Sequence, residues 1–270
     1  MKKIFFSIAL VSATVAFAQK KEIAAAVKAI DAGDVAATNS QIAAAEAVMG
    51  GKTYLVEPAV LEQYYYAKGL ALLKSGKNAE GAAYLAKMSE LGKEKIYTGK
   101  DSSKTKVYYV GKAAADQSGI QGLKEDTYVP VLTSRIGNTI NPLIEAANKT
   151  AMNAYTAKNY AAAAPKFKEV YDLLKAGGQD NKQYLYYSGL NYALADKKNE
   201  AQESYLKAIE EVEKTKDYQL AHLIYSSIGN IYLYNSLNEY ALQMFKQSLH
   251  YAKLSENKNY ICSAYYDLGK

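Results

Sequence analysis

One unit recurs in this chain at a constant interval. Leu185-x-x-Ser188-Gly189-x-x-Tyr192 returns as Tyr225-x-x-Ile228-Gly229-x-x-Tyr232 and, close to the last residue, as Tyr265-x-x-Leu268-Gly269. The successive glycines stand 40 residues apart. A fixed period of this size marks a stacked array, in which each unit buries its apolar face only against its neighbours. Such arrays present long surfaces to other chains, so the period constrains function as well as fold.

The repeats can be registered residue by residue. With each small anchor set as position 8 of a helix-turn-helix unit, the second helix is expected to carry a small residue 12 places on and a bulky one 16 places on. From Gly189 these are Ala201 and Tyr205, and from Gly229 they are Ala241 and Phe245. Ala151 leads to Ala163 and Phe167, and Gly69 to Gly81 and Leu85, although Lys68 there occupies a normally apolar position. Small residues let two helices approach closely, and the bulky one fills the space above them.

From about Gln63 onward this pattern resembles the tetratricopeptide repeat. Units of that family usually have 34 residues, so a 40-residue step implies helices longer by about one and a half turns. A degenerate first unit is expected over Glu22 to Met49, with Ala26 as anchor, Ala32-Gly33-Asp34 as turn and Ile42 in the bulky slot.

Local signals predict helices too. Asn141-Pro142 reads as an N-cap followed by proline at the first helical position, with a helix to about Ala157. Lys158-Asn159 then makes a turn, a second helix runs from Tyr160 to about Lys175, and Gly177-Gly178 stops it. One region breaks the pattern. Ile96-Tyr97-Thr98 and Val107-Tyr108-Tyr109-Val110 are β-prone runs around a polar loop, a hairpin signal, and a Gly-rich extended stretch is expected through about Arg135. The expected organisation is therefore a signal peptide over 1–18, helical repeats over 19–90, an insertion over 91–140 and tetratricopeptide-like repeats over 141–270, the last copy incomplete. The fold class is all-α, a right-handed helix-turn-helix solenoid with a small β-hairpin insertion.

The first residues read as a Sec signal: Met1-Lys2-Lys3, an apolar run from Ile4 to Val15, and Ala16-Phe17-Ala18 before Gln19. That run is too short for a membrane anchor of roughly 20 residues. The net charge of +6, two of it from Lys2 and Lys3, is mild and interspersed, so neither nucleic acid nor anionic lipid is indicated as partner. Cys262 is the sole cysteine, which excludes an intrachain disulfide and leaves stability to packing. There is no Trp, and the tyrosines number 26.

Chemistry is hard to find. His222 and His250 are the only histidines, with no acidic or cysteine partners at ligand spacing, and a solvated surface role is expected of both. Cys262 has no basic neighbour in sequence and is read as a small buried apolar residue. Gly51-Lys52-Thr53 lacks the upstream glycine and strand of a phosphate loop, and Ser103-x-x-Lys106 lies in a loop without companion motifs. No cofactor, metal or catalytic residue is expected, and the chain is read as non-enzymatic.

Binding is the positive expectation. In the family it resembles, the first helices line a concave groove. Carried onto this sequence, the resemblance implies a groove of Gln63, Tyr66 and Lys74, then Asn148 and Tyr155, then Gln183 and Tyr186, then Ser226, Asn230 and Tyr234. Tyrosines with amides suit an extended peptide or an inserted helix, because each ring offers large area at low entropy cost. Tyr65, Tyr192, Tyr205, Tyr225 and Tyr232 are instead assigned to the core. Chaperone-type members grip a terminal carboxylate with a lysine and an asparagine. The lysine position here reads Tyr66, Asn148, Tyr186 and Ser226, and only Asn230 matches the asparagine, so that clamp is absent. The expectation is an exported scaffold, periplasmic or extracellular, for a protein or peptide partner. Its alternative is the extracytoplasmic sensory region of a receptor whose membrane and output domains lie elsewhere.

Overall fold

The computed structural model describes residues 19–270, so the expected signal segment 1–18 lies outside the described residues. Two compact units result: the described part of Met1–Pro142 with Asp172–Gln179, and Leu143–Tyr171 with Asp180–Lys270.

In the first unit, α1 (residues 19–31) and α2 (Val35–Met49) form the expected degenerate hairpin. Gly33 takes a positive φ of 82° in the turn, and Asp34 caps α2 by accepting from the Ala37 amide at 2.8 Å. Ala26 and Ile42 are both buried. Helix α3 (Pro58–Lys74) starts with proline at its first position and pairs with α4 (Asn78–Glu90). A Cβ on Gly69 would lie 2.6 Å from Leu85 Cγ, so the helices meet in the slots the register assigns. Lys68, out of place in the pattern, has its own partners. Its ammonium pairs with Glu46 of α2 and sits 4.5 Å from the ring centroid of Tyr84.

The insertion holds a three-stranded antiparallel sheet. Strands β1 (Ile96–Lys100) and β2 (Lys106–Val110) pair from Ile96↔Val110 to Lys100↔Lys106, as the hairpin signal requires. Asp101 accepts from the amides of Ser103 and Thr105, each at 2.9 Å, and so closes the loop. The stretch after the hairpin is not simply extended. Gly111 at φ 82° releases the chain into a short helix, α5 (Lys112–Gln117), built on Ala113-Ala114-Ala115, of which Ala115 is buried. Strand β3 (Lys124–Asp126) then pairs with the other edge of β1, and a 3-10 turn spans Thr133–Arg135.

Helix α6 (Gly137–Thr156) begins earlier than Asn141-Pro142 implied, because buried Ile136 and Ile140 need one helical face. Pro142 therefore falls inside the helix and forgoes a bond to the Asn138 carbonyl. Helix α7 (Tyr160–Ala176) ends as read: Gly178 takes φ 81°, and the Gln179 amide bonds back to the Leu174 carbonyl at 2.9 Å.

The second unit continues through α8 (Gln183–Leu194), α9 (Lys198–Thr215), α10 (Tyr218–Tyr234), α11 (Asn238–Leu254) and α12 (Lys258–Leu268). Its turns keep time with the sequence. A left-handed residue recurs at Asp196, Lys216, Ser236 and Glu256, with φ between 55° and 59° at each. The repeat thus divides into equal helix-plus-turn halves. None of the four is glycine, so each turn accepts a conformational cost of about 1 kcal/mol. Ala201, Tyr205, Ala241 and Phe245 are all buried, and Ala151, Ala163 and Phe167 form a smaller cluster of their own.

Candidate functional site: the face of the first helices

Within the second unit, α10 packs against both α8 and α12, so the first helices of successive repeats lie side by side. This places the groove positions in a row. The structure does not leave all of them open.

Tyr66 is the clearest correction. It belongs to the first unit and is buried, its hydroxyl donating to Asp31 Oδ1 at 2.8 Å and its ring facing the Arg135 guanidinium at 5.3 Å. Burial pushes that hydroxyl's pKa up to about 12, with the hydrogen bond to Asp31 adding to the rise. A ligand cannot reach it without displacing Asp31 and Arg135. In the same unit Gln63 is half-buried and Lys74 exposed.

Ser226 is engaged by α12, and Asn230, although exposed, by Lys270 just beyond it. Ser226 Oγ donates to Asp267 Oδ2 at 2.5 Å. Asn230 donates to the Ser226 carbonyl at 2.9 Å and accepts from Lys270 Nζ at 3.0 Å. Lys270 also pairs with buried Asp267 at 2.8 Å, which closes a four-residue network. The remaining positions stay accessible: Tyr155 and Gln183 are exposed, Asn148 and Tyr186 half-buried. Tyr234 is 74% exposed, with Lys198 Nζ 4.0 Å from its ring centroid. The register overlooked exposed Tyr187, whose ring lies 5.9 Å from Tyr186 and 5.7 Å from Phe167. It follows Tyr186 directly, so a run of tyrosines in a groove helix was its only signal.

The tyrosines assigned to the core divide into Tyr65 and Tyr205, which are buried, and Tyr192, Tyr225 and Tyr232, which are half-buried like Tyr186. Tyr205 is fully buried and Tyr65 nearly so, and burial pushes the Tyr65 hydroxyl up to about 12. Tyr225 stacks on Tyr251 with centroids 5.4 Å apart, and both hydroxyls donate to Glu213 Oε1, at 3.1 and 3.0 Å.

Two further expectations fail. His222 is not at the surface but 1% exposed, because α10 is covered there by both α11 and α12. Its Nδ1 lies 2.8 Å from Ser248 Oγ, and its ring is 5.1 Å from that of Tyr260. Desolvation holds the imidazole pKa below its ordinary value. His250 is exposed, as expected. Cys262 is exposed rather than buried, because Ala264 and Asp267, not Cys262, face inward from α12. Among the described residues no cluster of His, Cys, Asp or Glu could hold a metal ion, and no helix is long and apolar enough to cross a membrane.

Paired helices closed by a small residue under a bulky one, repeated at 40 residues, make this a tetratricopeptide-like helical array. No model of a known protein family matches the chain, and no curated protein does. Among solved structures, a tetratricopeptide repeat protein from Parabacteroides merdae ATCC 43184 is similar over 94% of this chain and 99% of its own, at 14% identity and a TM-score of 0.23.

Proposed function

We propose that the protein is an exported, non-enzymatic scaffold that holds a peptide or partner protein along the face of its first helices. The observation that carries this reading is the set of uncharged side chains Tyr155, Gln183, Tyr186 and Tyr234 on the first helices of three successive repeats, exposed except for half-buried Tyr186. Tyrosine rings supply contact area with few torsions to freeze, and amides bond to a peptide backbone, so the row suits an uncharged chain segment. Export rests on the signal-like residues 1–18 alone.

Two measurements test the proposal. Expressed in full with a C-terminal tag, the chain should be recovered from outside the cytoplasm with Gln19 as its first residue. A cytoplasmic product retaining Met1 refutes export. The doubly substituted Tyr186→Ala, Tyr234→Ala protein should lose a partner captured by the wild type from envelope extract while its helical circular dichroism is unchanged. Undiminished capture refutes the groove.

A further inference from the structure

Helix α11 covers α10 through three contacts. The Phe245 ring packs directly on Gly229. Ser248 Oγ lies against the His222 ring, and Tyr251 stacks on Tyr225. Gly229 and His222 are buried in consequence, and Tyr225 is half-buried.

Helix α12 repeats the covered face of α10 at the 40-residue step. Gly269, Cys262 and Tyr265 stand at the places of Gly229, His222 and Tyr225, and Leu268 at that of Ile228. No second helix among the described residues covers them. Gly269, Cys262 and Tyr265 are exposed, and Leu268 is half-buried where Ile228 is buried. A Cβ on Gly269 would meet only the carbonyl oxygens of Tyr266 and Tyr265, at 3.5 and 3.8 Å, and no ring. The other side of α12 is in use, since buried Asp267 accepts from Ser226 of α10. The open face therefore belongs to a helix already formed and anchored, so little freedom remains to be lost on binding.

The repeat itself shows what fits such a face. Helix α11 brings small Ala241, the Phe245 ring four residues on, then Ser248 and Tyr251. One feature differs at α12. Glu213 accepts from both Tyr225 and Tyr251, and the same place one repeat on belongs to Lys253, whose ammonium lies 5.5 Å from the centroid of the Tyr265 ring. A carboxylate on the incoming helix suits that cation better than a second phenol. A second copy of this chain has no such helix to spare, because the Tyr205 and Phe245 rings already fill Gly189 and Gly229 of their own chain.

We infer that the open face of α12 docks one amphipathic helix of a partner protein. That helix seats an aromatic ring on Gly269, sets a small side chain against Cys262 and brings a carboxylate to Lys253. It uses none of Tyr155, Gln183, Tyr186 and Tyr234, so this site and the proposed groove stand or fall separately.

The test is fluorescence anisotropy with the full chain and a labelled synthetic helix. The probe has the sequence of Asn238–Leu254 with Tyr251→Glu, and a hydrocarbon staple joins positions 239 and 243, both exposed in α11. The wild type should bind it, and Phe245→Ala in the probe should weaken binding about thirtyfold or more, the scale of a buried aromatic anchor. Gly269→Leu in the protein fills the seat of the ring and should abolish binding at an unchanged melting temperature, since no side chain of the described residues occupies that space. Lys253→Glu should weaken the probe severalfold at low salt. Equal binding by Gly269→Leu overturns the inference, because the probe would then be replacing α11 on α10. Equal binding by Lys253→Glu, indifference to Phe245→Ala, or no binding at about 0.1 mM probe overturns it as well. So does a wild-type dimer in sedimentation that Gly269→Leu dissolves, because the face would then serve a second copy of this chain.

Discussion

A Cβ placed on Gly229 would lie 2.4 Å from Cε1 of Phe245, closer than any real side chain tolerates. The same holds one repeat earlier, where a Cβ on Gly189 would stand 2.6 Å from Cδ1 of Tyr205. The recurring glycine is thus a socket for the ring of the following helix, and the repeat is at heart this one contact used again. Both pairs span 16 residues, so each hairpin closes on its own sequence.

Gly229→Ala should therefore destabilise the protein, although alanine favours a helix over glycine by about 1 kcal/mol. Overpacking costs on the order of 1–3 kcal/mol and outweighs that gain. In urea unfolding, Gly229→Ala should lower the midpoint, and Phe245→Leu in the same chain should recover part of the loss. A midpoint raised by Gly229→Ala would show that the helices are free to separate.

The reach of the sequence follows from the same contact. Anchors, turns and the hairpin were legible because each depends on residues within about one helical hairpin of one another. Tyr66 was misread because Asp31 and Arg135, which enclose it, lie 35 residues before it and near the end of the insertion after it. His222 was misread for the same reason, its partners Ser248 and Tyr260 coming from two later helices. β3 gave no signal, since Lys124-Glu125-Asp126 has neither β-branched residues nor apolar alternation. Its pairing is imposed by β1. Groove positions followed from the register, but which of them α12 would occupy required the contacts of Asp267 and Lys270.

Glu62 pins the segment after β3 and gives a prediction of its own. It receives donors from residues 66 and 70 positions away, so its loss should free the segment at both ends. Glu62→Ala removes two hydrogen bonds to a charged group and leaves the Leu132 amide buried without an acceptor, a loss on the order of 2–4 kcal/mol. Hydrogen exchange at Leu132 should then quicken far more than exchange in α10, which lies in the other unit. Equal protection at Leu132 in both proteins would mean that Glu62 does not hold the segment.

His222 makes stability depend on pH in a definite direction. Desolvation holds its folded pKa below the ordinary 6.5, against the opposing pull of Asp267 and the bond to Ser248. The unfolded chain therefore takes up a proton at a pH where the folded chain does not, and stability falls as that proton is taken up. The contribution is complete above about 6.5 and diminishes as pH drops below that value toward the folded pKa. Ser248 and Tyr260 are the other groups against the ring. The melting temperature of the wild type should thus decline between pH 7.5 and 5.5, above the range in which ordinary carboxylates titrate, roughly pH 4. His222→Gln, which keeps a polar group near Ser248 but cannot titrate, should start from a lower melting temperature and lose little of it across the same interval. If wild type and variant decline in parallel, the pH dependence arises elsewhere and the buried imidazole is not its source.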